Sequence, residues 1–292
     1  MEFLTYLISG ISLGSVYAII ALGYTMVYGI AKMLNFAHGD GIMIGGYISL
    51  TAMLNLGLPA WVAVLAAMAV CTALGVLIEG LAYKPLRSAP SLAVLITAIG
   101  VSYFLQNSAL LIWGASPKAY SSVIDGAAKL FDGRLTISYV SILTVLMCLV
   151  IMVVLSLFIG KTKLGKAMRA CSEDKSAARL MGINVNRTIS VTFAIGSALA
   201  AIAGVLLCSS YTSLMPTTGS MPGIKAFTAA VFGGIGSIPG AFLGGILLGV
   251  IESMAKAYIS TQLANSIVFA VLILTLLVRP AGLLGKYVPE KV

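Results

Sequence analysis

Long apolar runs, almost free of charge, alternate along this chain with short polar segments. The runs cover about 4–29, 41–56, 60–80, 91–113, 137–159, 188–210, 225–256 and 262–278. A bilayer core is spanned by about 20 residues of helix, and only helices and closed barrels satisfy their backbone there. The pattern predicts an all-α, polytopic integral membrane protein with about eight to nine transmembrane helices. Asn55-Leu56-Gly57-Leu58-Pro59 places a turn inside the long run from Gly41 to Ile78. The run 225–256 is too long for one span and is broken by Gly233-Gly234-Ile235-Gly236-Ser237-Ile238-Pro239-Gly240. Pro239 removes a backbone donor there. The segment is therefore two pieces, either a hairpin of short helices or a discontinuous helix.

Composition agrees. The chain is 60% hydrophobic and 9% charged, against soluble averages of about 45–50% and about 25%. The few charges lie mostly at run ends. Seven of the 18 Lys and Arg residues fall between Gly160 and Arg187; set against Glu173 and Asp174 they give +5 of the net +9. Lys and Arg resist translocation, so this loop lies in the cytoplasm, as do Lys84-Pro85-Leu86-Arg87 and the tail carrying Arg279, Lys286 and Lys291. The segment 114–136 then falls outside, and the N-terminus with it. An outside start and an inside end require an odd number of crossings. The same distribution of cations argues against nucleic acid as a partner. No CxxC pair or metal-ligand spacing appears among Cys71, Cys148, Cys171 and Cys208, which speaks against disulfides and zinc. The N-terminal run has no basic n-region and reads as a retained span.

Several polar groups stand out against this apolar background. Met33-Leu34-Asn35-Phe36-Ala37-His38-Gly39-Asp40 is a second candidate break and holds the only histidine. Intramembrane ionisable groups are functional candidates by default. His38 and Asp40 form either a proton relay or substrate site, or a pair solvated near the cytoplasmic end of the first span. Gln106 and Asn107, mid-run in the fourth span, are pathway candidates because buried amides need internal partners. Asn35, Gly233, Gly234 and Gly236 complete the candidate route. Glu79 and Glu252 read as anchors or interhelical partners. Tyr24, Tyr28 and Tyr47 either line a route or pack. Small residues four apart (Gly10 and Gly14, Gly41 and Gly45, Gly245 and Gly249) read as close helix packing. The two breaks invite comparison as halves of a repeat, although their sequences share little.

The basic loop is patterned as two short helices, about 163–170 and 173–181. Ser172 stands as the N-cap of the second and Gly182 as its stop. Neither is long enough to be stable alone in water. They pack either on a protein partner or on anionic lipid headgroups. No nucleotide site is present: Gly160-Lys161-Thr162 resembles the end of a P-loop, but its first glycine would fall at Leu155. Gly234-Ile235-Gly236 likewise fails the dinucleotide pattern.

Ser176-Ala177-Ala178-Arg179-Leu180-Met181-Gly182 has the spacing of the Ala-Ala-x-x-x-Gly core of ABC importer permeases, with Ser176 where a Glu usually leads. Leu22-Gly23-Tyr24-Thr25-Met26-Val27-Tyr28-Gly29, Asn35 to Asp40, Gly165 to Cys171, Gly182-Ile183-Asn184 and Lys225 to Gly240 extend the likeness in order over nearly the whole chain. The chain thus resembles the permease subunits of branched-chain amino acid ABC importers (LivH type). That resemblance implies one transmembrane permease domain over 1–292 with a cytoplasmic coupling loop at 160–187. It implies coupling through Ser176, Ala177, Ala178, Arg179, Gly182 and Ile183. It also implies a second homologous permease subunit, two cytoplasmic ABC ATPases that hold ATP and Mg, and an extracytoplasmic amino-acid-binding protein, around a chain seated in membrane lipid. The expected location is the cytoplasmic (inner) membrane of a bacterium or archaeon. The chain itself is expected to be a transport subunit with no catalytic residues. Permeases for urea and short amides share much of this pattern. In a different class stands a self-sufficient proton-coupled secondary transporter using His38 and Asp40.

Overall fold

A computed structural model describes residues 2–87, 89–130 and 135–285. Nine apolar helices carry the bundle: α1 (Glu2–Ala31), α2 (His38–Leu54), α3 (Ala60–Ile78, continued by a π-helical turn, Glu79–Tyr83), α4 (Ser91–Trp113), α5 (Tyr139–Lys161), α8 (Val185–Ser210), α9 (Ser220–Gly233), α10 (Ile238–Tyr258) and α11 (Ala264–Val278). Two short helices of the basic loop, α6 (Lys163–Glu173) and α7 (Lys175–Leu180), separate α5 from α8. Six helices are long and apolar enough to cross a membrane: α1, α3 with its π turn, α4, α5, α8 and α10. The expected eight to nine transmembrane helices are thus nine among the described residues, six long and three shorter, α2, α9 and α11. Counting α2 and α9 as the helical parts of broken crossings gives nine passes among the described residues, an odd number.

The two short helices explain the design. α1 ends at Ala31, and the non-helical segment 32–37 turns back into the bundle. His38 opens α2 against Gly23: a Cβ on Gly23 would fall 2.5 Å from His38 Nε2. Gly23 lies eight residues before the end of α1, about 12 Å at 1.5 Å per residue. α2 therefore begins near mid-depth. α9 begins at the same level from the other side, because a Cβ on Gly39 would fall 2.8 Å from the Gly219 carbonyl. The two helices start together and leave toward opposite faces.

This pairing belongs to a wider pattern. α1 packs on α10 as α8 packs on α3; α2 lies on α8 and α3 as α9 lies on α1 and α10; α4 touches α2 as α11 touches α9. The sets α1–α4 and α8–α11 are inverted repeats in packing. The sequence comparison of breaks matched the wrong partners, however. The counterpart of 32–37 is 211–219, which leads into α9. The Gly-rich stretch at 234–237 is the α9–α10 turn and corresponds to 55–59. Each of those turns carries a positive-φ glycine, Gly57 and Gly236, shortly before a proline. The stretch 225–256 belongs to a hairpin, with α9 and α10 in contact through Gly233 and Gly240.

Close approach holds the centre together. Cβ atoms on Gly14 or Gly10 would fall 2.7–2.9 Å from atoms of α10, and one on Gly45 would fall 2.7 Å from Ala201 of α8. Without a hydrophobic driving force between helices in lipid, such packing supplies much of the association. Buried polar groups add specific ties. Glu252 of α10 accepts from Lys225 Nζ of α9 (2.7 Å), Lys256 Nζ (2.6 Å) and Tyr17 OH of α1 (2.9 Å). Glu79 pairs with Arg87 and accepts from Ser190 of α8. Both glutamates are interhelical partners.

Among its described residues, 114–138 is more than a loop. β1 (Lys118–Ala119) pairs antiparallel with β4 (Ser213–Leu214), and β2 (Ala127–Leu130) with β3 (Leu135–Ser138). Strands this short carry no readable alternation.

Candidate functional site

The polar residues near the two helix starts converge. Gln106, midway along α4, places Nε2 2.9 Å from Asp40 Oδ1, 3.1 Å from Ser102 Oγ and 3.3 Å from Ser220 Oγ. Asp40 is in the first turn of α2 and Ser220 opens α9. With Tyr24, Phe36, Gly39, Ile99, Tyr103, Gly223 and Ile224 they line a cavity of about 220 Å³ between α4 and the short helices. Asp40 is 2% exposed. Of the two readings of Asp40, the pair solvated near the end of the first span does not hold: residues 32–37 return into the bundle and bury it.

Below the cavity stands an aromatic layer. Phe36 and Phe227 lie 5.7 Å apart and Tyr24 and Phe227 5.8 Å. Tyr24 also lines a crevice beneath, bounded by Tyr28, Met33, Asn35 and Ile235. Asn35 accepts from Tyr83 OH at 2.8 Å and so ties the re-entrant segment to the π turn. His38 packs edge-on against Tyr24 at 4.6 Å. The other candidates fall elsewhere. Asn107 is exposed and donates to the Tyr103 carbonyl of its own helix. Gly233, Gly234 and Gly236 belong to the α9–α10 turn and do not line the cavity. Tyr47 stacks on Trp113 at 4.7 Å. Ser220 escaped sequence reading; its one signal is Pro222 in a helical first turn after Gly219.

The second region is the basic loop. α6 is amphipathic and buries Gly165, Met168 and Cys171. It extends to Glu173, beyond the expected end at 170. The N-cap of α7 is Asp174, whose Oδ1 accepts from Ser176 N (2.6 Å) and Ala177 N (3.0 Å), in place of Ser172, which donates to the Arg169 carbonyl. A carboxylate at this position satisfies two orphan donors and complements the helix dipole. At the other end, Gly182 (φ 79°) donates to Arg179 O and Ile183 N to Ala178 O, both at 3.0 Å. These bonds make a Schellman stop. Ala178 is buried and seats the helix; Ser176, Ala177, Arg179 and Gly182 face outward and Ile183 is half-buried. Leu180 and Met181 are 89% and 82% exposed. Lys175 Nζ donates to the Ala31 carbonyl at 2.7 Å. Burial, with Arg87, Lys32 and Arg179 nearby, holds its pKa below the usual lysine range.

Inverted helical halves, with short helices that begin together inside the bundle, fit a polytopic membrane permease. The comparisons sharpen that class. The family model described as "Branched-chain amino acid transport system / permease component" matches residues 6–277, and the chain belongs to this family. It is 46% identical, over its full length and 98% of theirs, to the high-affinity branched-chain amino acid transport system permease proteins LivH of Escherichia coli K12 and BraD of Pseudomonas aeruginosa. A probable LivH from Methanocaldococcus jannaschii is 31% identical over 91% of this chain and 88% of that one. More distantly, at 27% over 91% of this chain and 80% of its own, stands the autoinducer 2 import system permease protein LsrD of Salmonella paratyphi B. No solved structure matches the chain with significance.

Proposed function

We propose that this chain is the membrane-crossing subunit of an ABC importer that moves branched-chain amino acids inward. In this reading residues 1–292 act as one permease domain. Two partner ATPases hold ATP and Mg, a second permease of the same family completes the pathway, and an extracytoplasmic binding protein delivers the substrate. The observation that carries the reading is the α7 turn. It presents two nearly fully exposed apolar side chains, Leu180 and Met181, to the cytoplasm, and its stop is rigidly bonded. Exposed apolar tips of this kind mark protein contact surfaces. Ser176, Ala177, Arg179 and Gly182 surround that tip, while Ala178 anchors it from beneath. The full-length likeness, at 46% identity, to relatives named for branched-chain amino acid transport supports the substrate class.

The test is co-purification of the tagged chain from its native membrane under mild detergent, with mass spectrometry of what co-elutes. The expected result is recovery of ATPase subunits and a second permease, lost on Leu180→Asp/Met181→Asp substitution. A chain that elutes alone and transports under a proton gradient in proteoliposomes would overturn the proposal.

A further inference from the structure

We infer that the mid-depth cavity between α2, α4 and α9 is a transit site for a free α-amino acid, with Asp40 receiving its ammonium group and the start of α9 its carboxylate. The inference rests on the importer reading above and assigns the residues that meet the substrate.

The carboxylate of Asp40 is the central observation. Oδ1 accepts from Gln106, but Oδ2 is buried and makes no hydrogen bond. A buried charged or polar atom without a partner is costly. The nearby buried cation cannot serve it: Lys225, beside the cavity-lining Ile224, turns onto Glu252. Besides Gln106, only the Ser102 hydroxyl bears on this carboxylate, so Oδ2 keeps room for a stronger donor, and a primary ammonium supplies three.

The second half of the site is dipolar. α2 and α9 both begin here without a side-chain cap. Each helix N-terminus carries about half a positive charge, so two of them roughly balance one aspartate. A net-neutral site takes a net-neutral zwitterion without stranding a charge. Asp40, in the first turn of α2, uses that helix's positive end. The α9 end, marked by Ser220 and Gly223 in the cavity wall, remains for an anion.

The rest of the wall suits an aliphatic side chain. Phe36, Ile99, Tyr103 and Ile224 line it beside the polar cluster, the last three with part of their surface exposed. At about 220 Å³ the space falls below the ~300–1,000 Å³ of pockets for drug-sized ligands. An apolar wall discriminates weakly between side chains that differ by a methylene. The geometry therefore recognises the shared amino-acid head group and tolerates different branched tails.

The experiment uses the complete importer, with partner permease, ATPases and binding protein, reconstituted in liposomes with L-leucine as probe. Asp40→Asn is expected to lower leucine moved per ATP hydrolysed at least tenfold, and Asp40→Glu to recover part of it. Ile99→Trp, which fills the opposite wall without touching the charge, is expected to lower the same ratio. Wild-type ratios in Asp40→Asn would overturn the inference. Should Asp40→Asn fail to assemble, Ile99→Trp decides: a normal ratio in an assembled complex overturns it equally. Wild-type complex that moves no leucine would instead remove the importer reading for this substrate class, a distinguishable failure.

Discussion

Lys175 of the basic loop and Ala31 at the end of α1 are joined by a hydrogen bond, ammonium to carbonyl, at 2.7 Å. Ala31 is where α1 gives way to the segment that leads to Asp40, and Lys32 next to it has a positive φ of 57°. Under the proposed function, a push on α7 would reach the cavity through one bond and six residues of non-helical chain. A hydrogen bond to a charged donor contributes about 1.5–3 kcal/mol. Lys175→Met, which keeps the stem and loses the donor, should lower uptake per ATP about tenfold, with Lys175→Arg intermediate. Coupled uptake and phosphate-release assays check this; an unchanged ratio in Lys175→Met would remove Lys175 from the coupling route.

Gly182 ends α7 at φ 79°, with open space where a side chain would go. The cost of a substitution is therefore conformational, about 1–2 kcal/mol for a left-handed residue and more when it is β-branched. Gly182→Val should abolish uptake at normal membrane abundance, while Gly182→Asn, which tolerates this conformation, should keep most of it. Equal uptake in the two variants would show that the Schellman stop is dispensable.

Cys171 lies in the most polar stretch of the chain, yet it is buried against the bundle. Burial raises its thiol pKa, outweighing the lowering by Thr188 and Lys175. A raised thiol pKa means less thiolate at neutral pH, and thiolate is the nucleophile. Maleimide should label Cys171 in inside-out vesicles at least tenfold more slowly than a Leu180→Cys variant. Comparable rates would mean that α6 detaches from α5 and α8.

Glu252 holds two lysines and a tyrosine while itself 1% exposed. Removing one member of a buried pair costs about 3–5 kcal/mol, because the partner charge is stranded. Glu252→Gln should lower the melting temperature of the detergent-purified protein by about 6 °C or more. Lys225→Met/Glu252→Leu should recover much of that loss. A melting temperature unmoved in the single variant would show that Lys225 finds solvent on its own.

Gly249 meets the backbone of Gly14 with no room for a Cβ, whereas Gly100 on α4 faces open space. Gly249→Val should prevent accumulation of folded protein, and Gly100→Ala should leave abundance unchanged. Immunoblots of washed membranes distinguish them. Normal Gly249→Val levels would mean that α1 and α10 separate without cost.

Most helices were legible because their cause is local: a run of apolar residues closed by charge, Gly or Pro. So was the loop that carries α7, since its charges interrupt the apolar runs. What stayed hidden depends on distant partners. Nothing near Asp40 in sequence shows that Gln106 and Ser220 meet it, because that meeting depends on 32–37 and 211–219 re-entering the bundle. The sequence alone therefore leaves His38 and Asp40 near the end of the first span, with a buried site and a solvated pair both open. The N-cap error at Ser172 has a smaller scale: Ser172 and Asp174 both suit the role, and α6 decided between them by keeping its last turn on α5 and α8. The glycines at 233–236 drew attention by their density, which serves a tight hairpin and leaves the route to residues less conspicuous.

The aromatic layer of Tyr24, Phe36 and Phe227 stands between the cavity and the crevice beneath it. Its backbone neighbour is a short non-helical segment, so under the proposed function a solute passing this level would meet three rings. Rings turn aside by rotation about single bonds, with no helix to unwind. A gate built this way would open by a displacement no larger than a side chain.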